Sequence, residues 1–306
     1  MTILRQLSRD ELSTRLSADG LPLRIGPYVY RIRSKLRTIE DGIRTLYSDF
    51  EIATNDDFVD YDIALQQNGL RQHIHRQLEF LFDGTTPFNL IPLGQAYAFL
   101  EWGMNWCVSI HANEYLKLHA AAVARNDSAI VMPGIPGAGK STLCAALGLS
   151  DWRILSDEHA LIEPDSGKIV PLCRPVSLKN DSIGVIKSFS AEACFGPVSE
   201  ETHKGRVAHM KADLHSQSHQ NQPLSTTALV FPRYSPDDPQ GLSKRRRTDS
   251  FLLAAYHSFN YSLLGDTGFH VMKNLLDEVE CFDLVYRDMD WAVDAMNTLV
   301  EGRHGA

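Results

Sequence analysis

The sequence predicts an α/β fold in two parts, with a small α+β domain over residues 1–113 and a larger α/β core over residues 114–306. The main observation is a glycine-rich loop, IVMPGIPGAGKST at residues 130–142, which lies between an apolar run typical of a strand and an apolar run typical of a helix. Further strand-like runs follow that helix. Alternating strand patterns and helical patterns occupy the first 113 residues, where we find no catalytic motif.

The loop has the spacing of a phosphate-binding loop, with Gly134, four residues, and then Gly139-Lys140-Ser141. Glycines allow backbone N–H groups to approach phosphate oxygens, and the helix that follows directs its positive end at the anion. Lys140 supplies charge to the β- and γ-phosphates, and the Ser141 hydroxyl is suited to ligate Mg²⁺. We therefore predict an ATP site formed by Gly134, Ile135, Pro136, Gly137, Ala138, Gly139, Lys140, Ser141 and Thr142.

Composition limits the functional classes. The net charge of −8 gives no electrostatic reason to expect binding to nucleic acid or to an anionic membrane. No apolar run approaches the length of a bilayer span, and the first residues, MTILRQLSRDEL, are too charged for a signal peptide. The five cysteines are scattered and form no C-x-x-C pair, so we expect neither a disulfide framework nor a cysteine metal cluster. These features predict a cytoplasmic protein.

The first 113 residues contain a succession of local patterns. Residues 1–25 are typical of a polar helical arm, in which Ser8 is suited to cap a helix. The last pattern, residues 94–113, is long, rich in apolar residues and free of proline, and predicts a buried helix. Its Glu101 and Asn105 are expected to be satisfied interior polar groups, or to line a site. Between these ends we predict strands at 28–34, 58–65 and 73–82 and an amphipathic helix at 36–47.

Two acidic residues follow the loop helix. Residues 115–133 predict two strands with a turn at Asn126-Asp127, and residues 152–172 predict two more, joined by a tight turn at 164–167. Asp157 and Glu158 come directly after the apolar run WRILS. Such a pair often marks an ordinary turn, but in phosphate-loop proteins a carboxylate at the end of a neighbouring strand holds Mg²⁺. We therefore predict a metal site formed by Ser141, Asp157 and Glu158.

The last third has weaker signals. Residues 226–234 and 280–287 predict strands, helices flank the second of these, and residues 232–247 predict a proline-rich surface loop. Residues 209–222 resemble a flexible polar loop, and its histidines lack the acidic or cysteine partners expected of a metal site. Positive or titratable side chains are frequent between these segments, at Arg174, Lys179, Lys187, His203, Lys204, Arg206 and His209.

Three segments in order, LHAAAVAR, PGIPGAGKST and ILSDEHALIE, resemble the catalytic core of HPr kinase/phosphorylase. The chain is more specifically similar to HPr-kinase-related proteins in RPVSLKN, KGRVAH and FNYSLLG, so the resemblance covers about residues 115–300. It implies a fold related to phosphoenolpyruvate carboxykinase, with a mixed sheet. It also implies transfer of the γ-phosphoryl group of ATP to a serine hydroxyl, with Asp157 as general base, Glu158 beside it and His119 assisting. The second acidic residue is Glu158 where the HPr enzymes have aspartate, and the N-terminal third does not resemble theirs.

The resemblance leaves the acceptor open. Related kinases in peptide-modifying clusters phosphorylate a peptide serine, so a peptide or small protein is the expected acceptor; HPr kinases form rings, so a homo-oligomer is compatible. The alternatives are a small-molecule kinase on the same scaffold and a non-catalytic nucleotide switch, although Lys140, Ser141 and Asp157 fill all the catalytic roles. A kinase commonly places a further cation on the transferred group, and Arg174, Lys204 and Arg206 are candidates if they are not merely solvated or in contact with the acceptor. The predicted catalytic residues are Asp157, His119, Lys140 and Arg206.

Overall fold

The computed structural model describes residues 2–54 and 56–301. Within them the α-helices are α1 Arg9–Ser17, α2 Arg37–Leu46, α3 Gly69–Ile74, α4 Ala96–His111, α5 Lys140–Gly148, α6 Asp181–Phe189, α7 Leu214–Ser218, α8 Arg247–Tyr256, α9 Tyr261–Leu264, α10 Asp266–Glu278 and α11 Met289–Glu301. The strands are β1 Thr2–Ile3, β2 Leu21–Ile25, β3 Tyr28–Ser34, β4 Glu51–Ile52, β5 Tyr61–Gln66, β6 Gln77–Phe82, β7 Ile91–Pro92, β8 Leu116–Arg125, β9 Ser128–Pro133, β10 Arg153–Ser156, β11 His159–Ile162, β12 Ile169–Val170, β13 Val176–Lys179, β14 Ser199–Thr202, β15 Gly205–Met210, β16 Thr226–Tyr234, β17 Gly241–Lys244 and β18 Glu280–Tyr286. Short 3₁₀ helices lie at Leu4–Gln6 and Leu93–Gln95.

The N-terminal strands form one sheet, in the order β1-β4-β2-β3-β5-β6-β7. Its pairs are antiparallel except for β3 and β5. Helices α1, α2 and α4 bury apolar residues in the same core as the strands, among them Leu12, Ile43 and Met104. Helix α1 begins at the predicted cap, because the Ser8 side chain accepts a hydrogen bond from the Glu11 backbone N–H.

The second large sheet is mixed and lies between two layers of helices. Its order is β12-β11-β8-β9-β16-β18-β17, with β10 also paired to β8, and β16 runs parallel to both β9 and β18. Alternate residues of β8 enter two cores, since Ala121 and Val123 pack with α5 and α11 while Ala120 and Ala122 pack with α8 and α10. The helices therefore cover both faces, as a buried mixed sheet requires. Strands β13, β15 and β14 form a third, smaller sheet.

Most predicted strands and helices of the core are present. Strands β8 and β9 form a hairpin with Asn126 at φ 52°, as the turn at Asn126-Asp127 predicts. The predicted strand over WRILSDEHALIE is divided at residues 157–158 into β10 and β11, which both pair with β8. The two-strand prediction for this segment is thus wrong, while the turn at 164–167 does connect β11 to β12.

Three loop or helix predictions are wrong for a common reason. Residues 21–25 form a central strand, β2, instead of continuing a helical arm, and residues 241–244 form strand β17 within the predicted surface loop. The predicted flexible loop at 209–222 includes the end of β15 and the helix α7, with His209, Ser216 and Gln217 buried. Each segment has a weak local pattern of its own, so contacts with other parts of the chain decide its conformation.

A buried ion pair joins the two large sheets and their helices. Arg174, between β12 and β13, donates a hydrogen bond to a carboxylate oxygen of Glu101 on α4, at 2.5 Å, and another to the Asn105 side chain at 2.6 Å. The Tyr47 and Tyr97 hydroxyls donate to the same carboxylate at 2.7–3.0 Å. Burial opposes the charge of Glu101, but Arg174, His209 and Tyr97 outweigh it and lower the pKa of that carboxyl. Glu101 is thus a satisfied interior polar group, while Asn105 is partly buried and also lines a cavity.

Breaking this pair from one side leaves a buried charge without its partner. We expect Arg174→Met or Glu101→Leu to lower the free energy of unfolding by about 3–5 kcal/mol, measured by urea denaturation. The double variant should lose less than the sum of the two, because neither charge is then stranded. The control is Lys273→Met, which removes an exposed ion pair with Asp277 and should cost less than about 1 kcal/mol. Equal losses in Arg174→Met and Lys273→Met would show that the buried pair contributes no more than a surface pair.

Candidate functional site

The glycine-rich loop connects β9 to α5 in a strand–loop–helix unit. Gly137 and Gly139 have positive φ values of 85° and 93°, a region that L side chains rarely adopt. The loop is held from outside, because the Tyr286 hydroxyl donates to the Gly139 carbonyl at 3.0 Å and the Tyr234 backbone N–H donates to the Ala138 carbonyl at 3.0 Å. The loop shape is therefore fixed jointly by its own glycines and by β16 and β18.

Lys140 begins α5 and lies inside the loop. Its ammonium group donates to the Gly134 carbonyl at 2.6 Å and to the Ile135 carbonyl at 3.1 Å. The residue is 6% exposed, and burial lowers the pKa of this lysine although Glu158 and Asp157 oppose the shift. Phosphate oxygens entering the loop would meet this charge together with the N-terminal end of α5.

The break between β10 and β11 presents two carboxyl groups with different environments. One oxygen of Asp157 accepts from the Ser177 backbone N–H at 2.9 Å, while the other, Oδ1, is buried without a hydrogen-bond partner among the described residues. Burial, followed by the charge of Glu158, raises the pKa of Asp157 to about 6. Glu158 is also penalised by burial, but the hydrogen bond with His119 outweighs that penalty and lowers its pKa to about 2. Two adjoining carboxyl groups with separated pKa values suit a division into base and fixed charge.

His119 reaches the acidic pair from β8. Its Nε2 lies 3.2 Å from a Glu158 oxygen, and its backbone N–H donates to the His257 carbonyl at 2.6 Å. His159, directly opposite His119 in the strand register, is buried and stacks on Phe259 with 4.7 Å between the ring centroids. The imidazole of His119 therefore contacts Glu158. The predicted effect of His119 on Asp157 would be indirect, through Glu158.

One cavity collects most of the predicted site residues. It has a volume of about 400 Å³ and is open to solvent. Its lining includes His119, Pro136, Gly137, Gly139, Lys140, Ser141, Thr142, Asp157 and Glu158. Gly134, Ile135 and Ala138 belong to the loop without lining the cavity. We call this space the phosphate cavity.

The basic residues beyond the acidic pair separate in the structure. Arg206 is about half exposed and pairs with Glu200 at 3.1 Å, outside the lining of the phosphate cavity. Arg174 is buried in an ion pair with Glu101. The sequence predicted a cation for the transferred phosphoryl group at this position and not a packing role. Of the three candidates Lys204 lines the phosphate cavity, and Lys179, which was not a candidate, lines it as well.

Sequence reasoning missed Ser177 and Lys179 as site residues. Both lie on β13, inside the RPVSLKN segment, and Ser177 orients Asp157 through its backbone N–H. A backbone contact of this kind has no signature in residue type, so the segment could be found by resemblance only. Three residues of α4 were also missed: Phe99, Trp102 and Trp106. Their apolar side chains predict core packing, and only the tertiary fold places them in one cavity lining with Glu158.

The donors present fit Mg²⁺. Ser141 offers a hydroxyl, Asp157 and Glu158 offer carboxylates, and Asp157 Oδ1 is a buried oxygen without a partner. Mg²⁺ prefers such hard oxygen ligands and usually takes only one or two carboxylates, with phosphates and water completing its shell. In residues 2–54 and 56–301, no three His, Cys, Asp or Glu side chains cluster as a protein-only metal site would require. The arrangement therefore suits a metal that binds together with a phosphate compound.

Comparisons with solved structures give several distant matches. The HPr(Ser) kinase/phosphatase from Coxiella burnetii matches with a TM-score of 0.28 and 10% sequence identity, over 61% of this chain and 95% of that one. Similarity at this level carries no argument about activity. No protein-family model matches the chain, and no curated protein matches it. Helices of the described residues are all too short or too polar to cross a membrane.

The loop geometry predicts that Gly139 tolerates no side chain. A Cβ at this position would lie 2.3 Å from the hydroxyl oxygen of Tyr286, a buried residue, and the φ of 93° would itself be strained. We expect Gly139→Ala to weaken ATP binding at least ten-fold in calorimetry. Gly184→Ala is the matched control, because its Cβ meets no atom within 4 Å. Unchanged affinity in Gly139→Ala would mean that the loop does not bind phosphate in this conformation.

Two buried histidines predict a loss of stability in acid. Burial lowers the pKa of His209 to about 4 and that of His159 to about 3. The unfolded chain, with ordinary histidine pKa values near 6.5, therefore binds more protons in the interval between. The contribution of these histidines to the free energy of unfolding is therefore largest above pH 6.5, where both are neutral in either state. It decreases as the pH falls toward 4, by about 3 kcal/mol for His209.

Urea denaturation between pH 7 and pH 4 measures this loss. His209→Gln should flatten the pH dependence of the unfolding free energy, whereas His73→Gln, at an exposed position, should leave it unchanged. An equally steep dependence in His209→Gln and in the unsubstituted protein would contradict the assignment.

Proposed function

We propose that the protein is an ATP-dependent kinase that transfers the γ-phosphoryl group to a serine hydroxyl of a peptide or small protein. The observation that carries the proposal is that Lys140, Ser141, Asp157 and Glu158 line one cavity at the end of a strand–loop–helix unit. The loop supplies backbone N–H groups and a fixed positive charge for the phosphates. The carboxylates line the same cavity as Lys179 and Lys204, so acid–base chemistry and charge neutralisation are available together.

The residues support a direct transfer step. The acceptor oxygen forms a bond to the γ-phosphorus, the bond from that phosphorus to the β–γ bridging oxygen breaks, and ADP leaves with the bonding electrons. Asp157 takes the hydroxyl proton, and Ser177 orients its carboxylate through the backbone hydrogen bond. Glu158, paired with His119, stays ionised. Lys179 and Lys204 face the transferred group in this arrangement, and Lys140 holds the phosphates that leave.

Ser141, Asp157 and Glu158 would hold Mg²⁺, which when bound neutralises charge on the phosphates. Because Asp157 belongs both to this donor set and to the proton transfer, its substitution is the most informative test. The Asp157→Asn substitution keeps the size of the side chain and replaces the carboxylate by an uncharged amide.

Two substitutions test the proposal by separating binding from transfer. Lys140→Ala should weaken ATP binding, because the phosphates lose their fixed counter-charge. Asp157→Asn should bind ATP within a few-fold of the unsubstituted protein but lower kcat for peptide phosphorylation by at least 100-fold, consistent with the loss of a general base. Calorimetry with ATP and Mg²⁺, and radiolabel transfer to serine peptides, are the measurements.

The control for Asp157→Asn is Asp127→Asn, at the exposed turn of the β8–β9 hairpin, which should change neither constant. Wild-type transfer in Asp157→Asn would refute the base assignment. ATP binding without transfer to any peptide would instead favour the non-catalytic switch, and transfer only to small alcohols would favour the small-molecule kinase.

A further inference from the structure

A second cavity adjoins the phosphate cavity on the side of the carboxylates. It has a volume of about 310 Å³ and lies between α4 and the β14–β15 hairpin. Glu158, Ser177, Lys179 and Lys204 line both cavities. Its lining residues on α4 are Ala98, Phe99, Trp102, Asn105, Trp106 and Ser109. We call this space the aromatic cleft.

Helix α4 buries residues such as Leu100, Met104 and Val108 in the N-terminal core. Phe99 and Trp106 pack against the same core and also line the cleft. The cleft residues recur at spacings of three and four, as one stripe of a helix does. Trp102 remains 37% exposed, and Phe259, which also lines the cleft, is 41% exposed. Exposed aromatic side chains gathered in one concave site indicate a place that binds an apolar group.

The position of the cleft indicates which reactant it faces. In the proposed reaction the β-phosphate lies in the loop and the γ-phosphate near Asp157, so the adenosine extends away from the carboxylates. None of the loop residues 134–142 lines the cleft, which instead shares Glu158 with the phosphate cavity. A molecule held in the cleft would therefore reach the carboxylates from the acceptor side.

We propose that the aromatic cleft holds an aromatic side chain of the acceptor peptide, next to the serine that receives the phosphoryl group. This inference depends on the proposed kinase function. The cleft is at the lower end of the size range of ligand pockets, which suits one large side chain rather than a folded surface. Trp102, Phe99 and Phe259 line the cleft and supply aromatic surface for contact with that side chain. The N-terminal part of the chain thereby selects the acceptor.

Peptides containing a single serine provide the test. Each carries tryptophan, phenylalanine, leucine, alanine or aspartate at the position before or after the serine, and the full chain phosphorylates them with labelled ATP. We expect kcat/KM for the aromatic peptides to exceed that for the alanine peptides at least ten-fold. Trp102→Ala should remove this preference mainly by raising KM for the peptide, with ATP affinity unchanged.

A second variant tests the cleft in case Trp102→Ala does not fold. Ala98→Trp adds bulk on the cleft wall without removing an aromatic contact, and should raise KM for aromatic peptides in the same way. Phe58→Ala is the matched control, because Phe58 is 81% exposed and does not line the cleft, and it should change neither constant.

The outcomes separate the two proposals. Equal kcat/KM for aromatic and alanine peptides would overturn the cleft assignment and leave the kinase function standing. Weaker ATP binding in both Trp102→Ala and Ala98→Trp would assign the cleft to the nucleotide base and overturn the proposal as well. Absence of transfer to every peptide, with ATP bound, would overturn the kinase function and the inference together.

Discussion

Strand β8 is the constraint on which the candidate site depends. It pairs along one edge with β9, which leads into the glycine-rich loop, and along the other with both β10 and β11. Asp157 and Glu158 lie between β10 and β11, and the Glu158 carbonyl accepts a hydrogen bond from the Ala120 backbone N–H of β8. Backbone hydrogen bonds of one strand therefore set the separation between the loop and the carboxylates. His119 belongs to the same strand, which explains its contact with Glu158.

This arrangement also explains which parts of the site could be predicted from the sequence. The loop depends on residue types at fixed spacing, so Gly139, Lys140 and Ser141 are recognisable without a fold. Asp157 and Glu158 were found because they follow an apolar run, but the division of the strand into β10 and β11 was not predicted. Elements with clear periodicity, such as α2 and α4, were predicted to within a few residues. Strands β2 and β17 were missed, because their pairing partners rather than their own residues decide their conformation.

The basic residues illustrate the limit of reasoning from charge alone. Three basic residues that follow the acidic pair in sequence have three different roles. Arg174 is buried against Glu101, Lys204 lines the phosphate cavity, and Arg206 pairs with Glu200 at the surface. Burial decides among these roles, and burial is set by contacts across the chain. Arg174 provides the clearest case, since its partners are on α4, more than 60 residues away in sequence.

The buried Arg174–Glu101 ion pair connects the N-terminal part of the chain to the candidate site. Arg174 precedes β13, whose Ser177 orients Asp157, and Glu101 lies on α4 between residues of the aromatic cleft. One ion pair thus joins the segment that orients the carboxylate to the helix that forms the cleft wall. An interaction buried in this way tolerates little displacement, because separating the charges would leave both without solvation. The cleft and the carboxylates are therefore held in a fixed relation, which is what positioning an acceptor hydroxyl beside a base requires.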